Sequence, residues 1–295
     1  MSLPILNAVQ AKLLFLKNTE KKLSAARIPS ARVEAELLIR HFTGQSRIEL
    51  LTGDQPIRPR HRRLIEQALQ KRLQRIPLAY VIGEADFFGR DFCVTPDTLI
   101  PRPETEILLE QALELMDSPL CPKKPQVLEI GAGTGCLAVS LTIARPDCRM
   151  TALDISPKAL KVASKNAKRY GVSRNIRFRY SNLFSVFGRT KKECWDVLIS
   201  NPPYIASDEM KALPREVRKE PVLALDGGKK GLDIIFKILE EAPAYLKKGA
   251  WLLIEIGKGQ HRDLEKKLNK IDAYHQIIFI KDLAGIKRVL KARKK

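Results

Sequence analysis

Long apolar runs are missing from this 295-residue chain. Nowhere do about 18 apolar residues follow one another, so no membrane-spanning helix is expected. The patch Leu13-Leu14-Phe15-Leu16 is bracketed by Lys12 and Lys17. It is too short for the apolar core of a secretory signal, and no small-residue cleavage site follows. Cysteine is scarce and unpaired in pattern: Cys93, Cys121, Cys136, Cys148 and Cys194 are odd in number and scattered. That excludes a disulfide framework and shows no zinc spacing, so reduced structural thiols, no metal and a cytoplasmic protein are expected. Acidic residues are also short, 33 against 53 Lys and Arg, for a net charge of +20. The last 38 residues hold 12 Lys or Arg against 4 Asp or Glu. Such a surface attracts acidic partners but does not by itself identify a nucleic-acid binder. Nucleic acid is left open and not required.

What is present suffices for a large core, with 44% apolar residues. The length favours two domains. Residues 1 to about 75 carry helical periodicity and no clear strand. Ser30 is placed to cap a helix with a Val33, Leu37, Leu38 and Phe42 stripe. Leu64, Ile65, Ala68, Leu69 and Leu73 stripe another, with Arg and Lys expected on its outer face. Residues 76–100 alternate apolar positions around Phe88-Gly89-Arg90 and read as a β-hairpin linker. From about residue 101 to 295, strands and helices alternate as in a right-handed βαβ sheet. Strands are expected at 150–154, 176–179, 195–200, 251–256, 276–280 and 286–290. No internal repeat appears.

Two motifs carry the chemistry. In the first, the apolar strand Val127-Leu128-Glu129-Ile130 runs into Gly131-Ala132-Gly133-Thr134-Gly135, and a helix follows from Cys136 to Ala144. The glycines permit a tight turn and close backbone approach to a ligand, and the new helix offers free N–H groups. The spacing is G-x-G-x-G, not the dinucleotide fingerprint, and no Walker lysine is present. A second strand ends in Asp154, where an acid is placed to accept from ribose hydroxyls. Asp154 can also be read as a helix cap, but Ser156 before Pro157 is the better one. A glycine turn with a ribose acid points to an adenosine-containing cofactor.

In the second motif, the buried strand Trp195–Ser200 is followed by Asn201-Pro202-Pro203-Tyr204. The motif therefore lies at the carboxyl end of a strand, where open α/β sheets bind ligands. The prolines remove two N–H donors. What remains is mostly acceptor, together with a flat ring. Asn-Pro pairs also begin ordinary turns. As a site, the loop suits a planar group bearing –NH2, either a carboxamide or the exocyclic amine of a base. Together with an adenosine cofactor this suggests S-adenosylmethionine and N-methylation.

Glycine turn, acid and Asn-Pro-Pro-Tyr resemble the class I (Rossmann-like) amino-methyltransferases. Narrower blocks resemble the HemK-type protein-(glutamine-N5) methyltransferases that modify peptide-chain release factors. These blocks are Arg75–Gly83, Phe88–Val94, Leu99-Ile100-Pro101-Arg102-Pro103-Glu104-Thr105-Glu106, and Glu220-Pro221 with Ala224-Leu225 and Gly228. The resemblance runs from about Val33 to Val289. It implies that Gly131, Ala132, Gly133, Thr134, Gly135, Asp154, Asn182, Leu183 and Asn201 hold S-adenosylmethionine. It implies that Asn201, Pro202, Pro203 and Tyr204 hold a glutamine amide of a release factor, in a Gly-Gly-Gln motif. Asn201, Pro202 and Tyr204 are the catalytic candidates. The Asn201 oxygen and Pro202 carbonyl would each accept one amide N–H, and Tyr204 would pack on the amide plane. No general base is evident, because none of His41, His61, His261 and His275 sits near these motifs. The chain departs from the family at Asn182-Leu183-Phe184, where an Asp is usual. The N-terminal helices are expected to recognise the protein substrate, and a monomer is expected. The loop is shared with N6-adenine methyltransferases acting on DNA or RNA and with ribosomal-protein glutamine methyltransferases. A non-catalytic RNA-binding scaffold is the remaining alternative.

Overall fold

The computed structural model describes residues 7–119, 121–188 and 194–295. The chain divides into two units, 1–83 and 84–295. No helix among the described residues is long and apolar enough to cross a membrane.

The first unit is helical: α1 (Ala8–Ala25), α2 (Ala31–Thr43), α3 (Arg47–Thr52), α4 (Pro59–Leu73) and α5 (Leu78–Ile82). Reciprocal capping by Asn7 with Gln10 and by Ser46 with Glu49 starts α1 and α3. Leu16, Leu23, Ile39, Leu50, Ile65 and Leu69 form the core. Three expectations need correction here. Ser30 precedes α2, but its side chain makes no capping bond. The expected α2 stripe is rotated: Val33 and Leu37 are exposed, and the buried face runs through Ala31, Ala35, Leu38 and Ile39. Small alanines let a neighbouring helix approach closely, which the large side chains would prevent. On α4, Leu64 is exposed while Arg72, expected outside, is buried with its Nε donating to Glu34 at 2.6 Å. A buried cation of this kind is tolerated only when paired.

In the second unit, β1 (Glu84–Phe87) and β2 (Arg90–Cys93) form a hairpin. Phe88 and Gly89 both adopt left-handed φ, 54° and 69°, as a two-residue turn with the strands' own twist requires. The span 76–100 read as one hairpin linker is thus divided. Its start is the helix α5, and the hairpin proper is tied to the second unit by Phe87 and Phe92 in that unit's core.

The rest alternates: α6 (Pro103–Asp117), β3 (Gln126–Ile130), α7 (Cys136–Ala144), β4 (Arg149–Asp154), α8 (Pro157–Arg169), β5 (Ile176–Tyr180), β6 (Trp195–Ser200), α9 (Asp233–Glu241), β7 (Leu246–Glu255), α10 (His261–Ile271), β8 (Tyr274–Lys281) and β9 (Lys287–Lys294). Seven strands form one sheet in the order β5-β4-β3-β6-β7-β9-β8. The pairs from β5 to β7 are parallel, and β9 runs antiparallel to both its neighbours. Successive residues face opposite sides. Val127, Val197 and Leu253 therefore join one apolar layer, while Leu128, Leu198 and Leu252 join the other. The basic C-terminal stretch folds into α10, β8 and β9. Of these, β9 is an interior strand of the sheet, with Leu290 and Ala292 buried and Lys291 lying over the Trp251 ring.

The order of pairing brings the two motifs together. Chain connections leave β3 toward β4 on one side, whereas β6 lies on the other, so a crevice opens between the ends of β3 and β6. Ile130 pairs with Ser200, and the Ser200 hydroxyl donates to the Ile130 carbonyl at 2.8 Å. Gly131 and Asn201 follow directly.

Candidate active site

Gly131, Gly133 and Gly135 have φ of 83°, 54° and 76°, a region other residues enter only at a cost. The Gly131 and Ala132 N–H groups both donate to the Leu153 carbonyl, which anchors the turn to the end of β4. A Cβ on Gly135 would stand 2.9 Å from the Ala163 Cβ, so this glycine lets α7 start against α8. Asp154 receives the Gly133 N–H on one carboxylate oxygen and the Ser156 N–H on the other, each at 2.8 Å. It shapes the glycine turn and still lines the cleft. Ser156 is the cap of α8, accepting from the Ala159 N–H. Burial pushes the Asp154 carboxyl up, and the amides of Gly133 and Ser156 oppose this.

Gly131 to Thr134, Asp154, Asn182, Leu183 and Asn201 to Pro203 all line one cleft. Gly135 does not; it packs against α8. Tyr204 lines an adjoining pocket with Val217 and Leu225. Asn201 and Pro202 line both, and so stand where the two meet. Asn182 is exposed at the rim.

Two buried acids were passed over in the sequence: Glu129, which lines the cleft, and Glu255, which lies behind Thr105 and Tyr204. Glu129 lines the cleft, is almost wholly buried, and has a carboxylate oxygen without a partner. Burial first, and then the charge of Asp154, raise its carboxyl well above the usual carboxylate range. The available signal was an acid inside an otherwise apolar strand.

Glu255, at the end of β7, is 1% exposed. The Thr105 hydroxyl donates to its Oε2 at 2.7 Å and the Tyr204 hydroxyl to its Oε1 at 3.2 Å. Asn201 Nδ2 in turn donates to the Thr105 oxygen at 2.9 Å. The loop is held from behind as well, since the Gln260 amide donates to the carbonyls of Tyr204 and Gly231. Glu220 accepts from Arg102 and from the Ile100 N–H, which joins the Ile100-Pro101-Arg102 block to the Glu220-Pro221 block.

Burial pushes the Glu255 carboxyl up to about 7, against the lowering effect of Thr105 and Tyr204. An acid whose folded pKa is raised stabilises the fold fully below its unfolded pKa, and loses that contribution as pH rises through the folded value. The displacement from 4.5 to about 7 corresponds to ~3 kcal/mol. Glu255→Gln has no such titration. Its stability relative to wild type should therefore rise between pH 4.5 and pH 8 by up to this amount. Denaturant melts of both proteins across that range check it; a pH-independent difference would contradict the assignment.

A glycine turn after β3, an acid at the end of β4 and Asn-Pro-Pro-Tyr after β6, on a sheet with one antiparallel strand, define a Rossmann-like methyltransferase domain with a place for a methyl-donor cofactor. Known proteins agree. Residues 104–219 match the Methyltransferase small domain, and residues 15–83 match the PrmC N-terminal domain. The second match ends where the two units divide. The fold resembles the hMettl16 catalytic domain (TM-score 0.56, 15% identity, 76% of this chain and 81% of that one). It also resembles a methyltransferase from Pyrococcus furiosus (TM-score 0.50, 24% identity, 76% and 98%). The release factor glutamine methyltransferase of Cereibacter sphaeroides is 41% identical over 94% of this chain and 96% of its own length. That of Nitratidesulfovibrio vulgaris is 37% identical over 95% and 94%. The chain belongs to the release factor glutamine methyltransferase family.

Proposed function

We propose that this enzyme transfers a methyl group from S-adenosylmethionine to the side-chain amide nitrogen, N5, of a glutamine in a peptide-chain release factor, within the Gly-Gly-Gln motif that the family implies. The observation that carries the reading is the orientation of Asn201. Its Nδ2 is engaged by Thr105, so Oδ1 is the atom left for a ligand where cleft and pocket meet.

The cleft suits the cofactor. The free Asp154 lone pairs can take ribose hydroxyls, and the unpaired Glu129 oxygen is an acceptor for an ammonium group. The apolar sides of Ile155 and Leu183 flank a flat base, and the Asn182 carbonyl can accept from an exocyclic amine. The bound cofactor supplies a methyl carbon on a positive sulfur, already a strong electrophile.

The chain's own groups supply position. An amide nitrogen is a poor nucleophile because its lone pair is delocalised. The Asn201 oxygen and the Pro202 carbonyl each accept one amide N–H. This holds the nitrogen in line with the methyl carbon and favours the positive charge that develops on it. The Tyr204 ring borders the amide, and its hydroxyl stays protonated because burial and Glu255 raise it. It therefore acts as a wall and not as a base. The helical unit, residues 1–83, serves to recognise the protein substrate, since cleft and loop account for cofactor and amide. The reaction belongs to the cytoplasm.

The test uses labelled cofactor offered with a release factor, with a factor whose motif glutamine is replaced, and with nucleic acid. Label should enter the intact factor alone. Residues 84–295 without the helical unit should still bind cofactor but label the intact factor at least ~10-fold more slowly. Label in nucleic acid alone would overturn the reading; full rate without the helices would remove their role.

A further inference from the structure

We infer that Thr105 and Glu255 are positioning residues that decide which end of the Asn201 carboxamide meets the substrate; the inference rests on reading Asn201 as the amide clamp. An Asn side chain has nearly the same shape after a flip of its amide, so only its partners select the orientation. Thr105 has a single hydroxyl proton. Its hydrogen bond to Glu255 Oε2, at 2.7 Å, places that proton away from Asn201. The Thr105 oxygen then faces Asn201 only with lone pairs, and can accept from Nδ2 but not donate to Oδ1. The Asn201 oxygen is thereby left toward the two meeting pockets. Remove the acceptor at 255, and the Thr105 proton is free to turn to Asn201 Oδ1. The carboxamide would then flip and present N–H groups to the substrate amide's own N–H groups.

Three segments remote in sequence make the relay. Thr105 lies on the first turn of α6, Asn201 just past β6, and Glu255 at the end of β7. Thr105 and Glu255 are 3% and 1% exposed, so water does not substitute for either partner. The second oxygen of Glu255 holds the Tyr204 hydroxyl. One buried carboxyl group, accepting at both oxygens, thus orients both the clamp and the ring beside it. Glu104 and Arg288 are the charged groups acting on it, in opposite directions.

The test is a set of variants in two backgrounds, read by single-turnover methylation of release factor, cofactor Kd and melting curves. Thr105→Val keeps the shape and removes the hydroxyl. It should lower kcat about 10- to 100-fold and leave cofactor Kd within about 2-fold. Thr105→Ser should restore the rate. Glu255→Gln, whose amide oxygen still accepts from Thr105, should keep most of the rate, while Glu255→Leu should lose as much as Thr105→Val. The decisive arm uses Asn201→Asp, because a carboxylate presents oxygen whichever way it turns. There Thr105→Val should cost no more than about 2-fold. Glu255→Leu should raise the rate, since the freed hydroxyl can donate to the carboxylate at 201. A purely structural role for Thr105 and Glu255 predicts equal losses in both backgrounds, and that result overturns the inference. So does wild-type kcat in Thr105→Val. If the wild-type chain itself transfers no methyl to the factor, the proposed activity fails and this inference with it.

Discussion

Asn201→Ala is expected to lower methyl-transfer turnover by about 10²–10³, the usual cost of removing one positioned electrostatic contact. The substitution leaves both prolines and the Tyr204 ring in place. It removes the acceptor for one substrate N–H in a desolvated pocket, a loss of ~1–3 kcal/mol. It also removes the orientation that keeps the amide nitrogen in line. Cofactor affinity should change less, because the glycine turn, Glu129 and Asp154 supply most of the proposed cofactor contacts. Asn201→Asp separates the two contributions. It retains an acceptor of the same shape and adds a charge near the sulfonium, but it sets that charge against the Thr105 lone pairs that now accept from Nδ2. Partial activity is expected for Asp and almost none for Ala. Single-turnover rates at saturating cofactor and release factor measure this. Equal rates for wild type and Asn201→Ala would refute the amide clamp.

Asp154→Ala should weaken S-adenosylmethionine binding by ~1.5–3 kcal/mol through loss of a charged acceptor for the ribose. The effect has a second source. Asp154 also ties the Gly133 and Ser156 N–H groups, so without it the glycine turn loses an internal brace. The melting temperature should therefore fall too, but by less free energy than the affinity, because the turn amides are only partly buried and can turn to water. Asp154→Asn keeps an acceptor for one of the two amides and removes the charge, and should fall between wild type and alanine. Titration calorimetry with a parallel melting curve distinguishes the outcomes. Unchanged affinity in Asp154→Ala would remove this residue from the cofactor site.

Some of this was legible in the sequence because it is local. An apolar strand, three glycines needing positive φ, and an apolar helix from Cys136 to Ala144 form a contiguous signal; the helix has those bounds in the structure, and the strand starts one residue earlier, at Gln126. Asn201 to Tyr204 was equally plain, since two prolines after a buried strand leave few alternatives. The helices of the first unit were legible as helices but not in their facing. Periodicity locates an apolar stripe within one turn, yet Ala35 is buried and Val33 is not. The facing was settled by the small residues that let neighbouring helices close in. The segment 76–100 failed for a related reason. Alternation is the same whether strands bridge two units or pack on one, and only Phe87 and Phe92 in the second core fix the hairpin's allegiance.

Sequence alone carried the signal for the class of chemistry: a glycine turn after β3, an acid at the end of β4, and an acceptor-rich loop after β6. Each of these depends on residues within a few positions of one another. Tertiary structure alone decided how the loop is aimed. Thr105, Asn201 and Glu255 read separately as a helix residue, a loop amide and a buried acid. Only the pairing of β6 with β3 and β7, and the packing of α6 above them, brings these three groups within hydrogen-bond reach. The direction of a proton on one hydroxyl then sets which atom of Asn201 is offered. That is a property of three-dimensional contact between segments, and no local pattern encodes it.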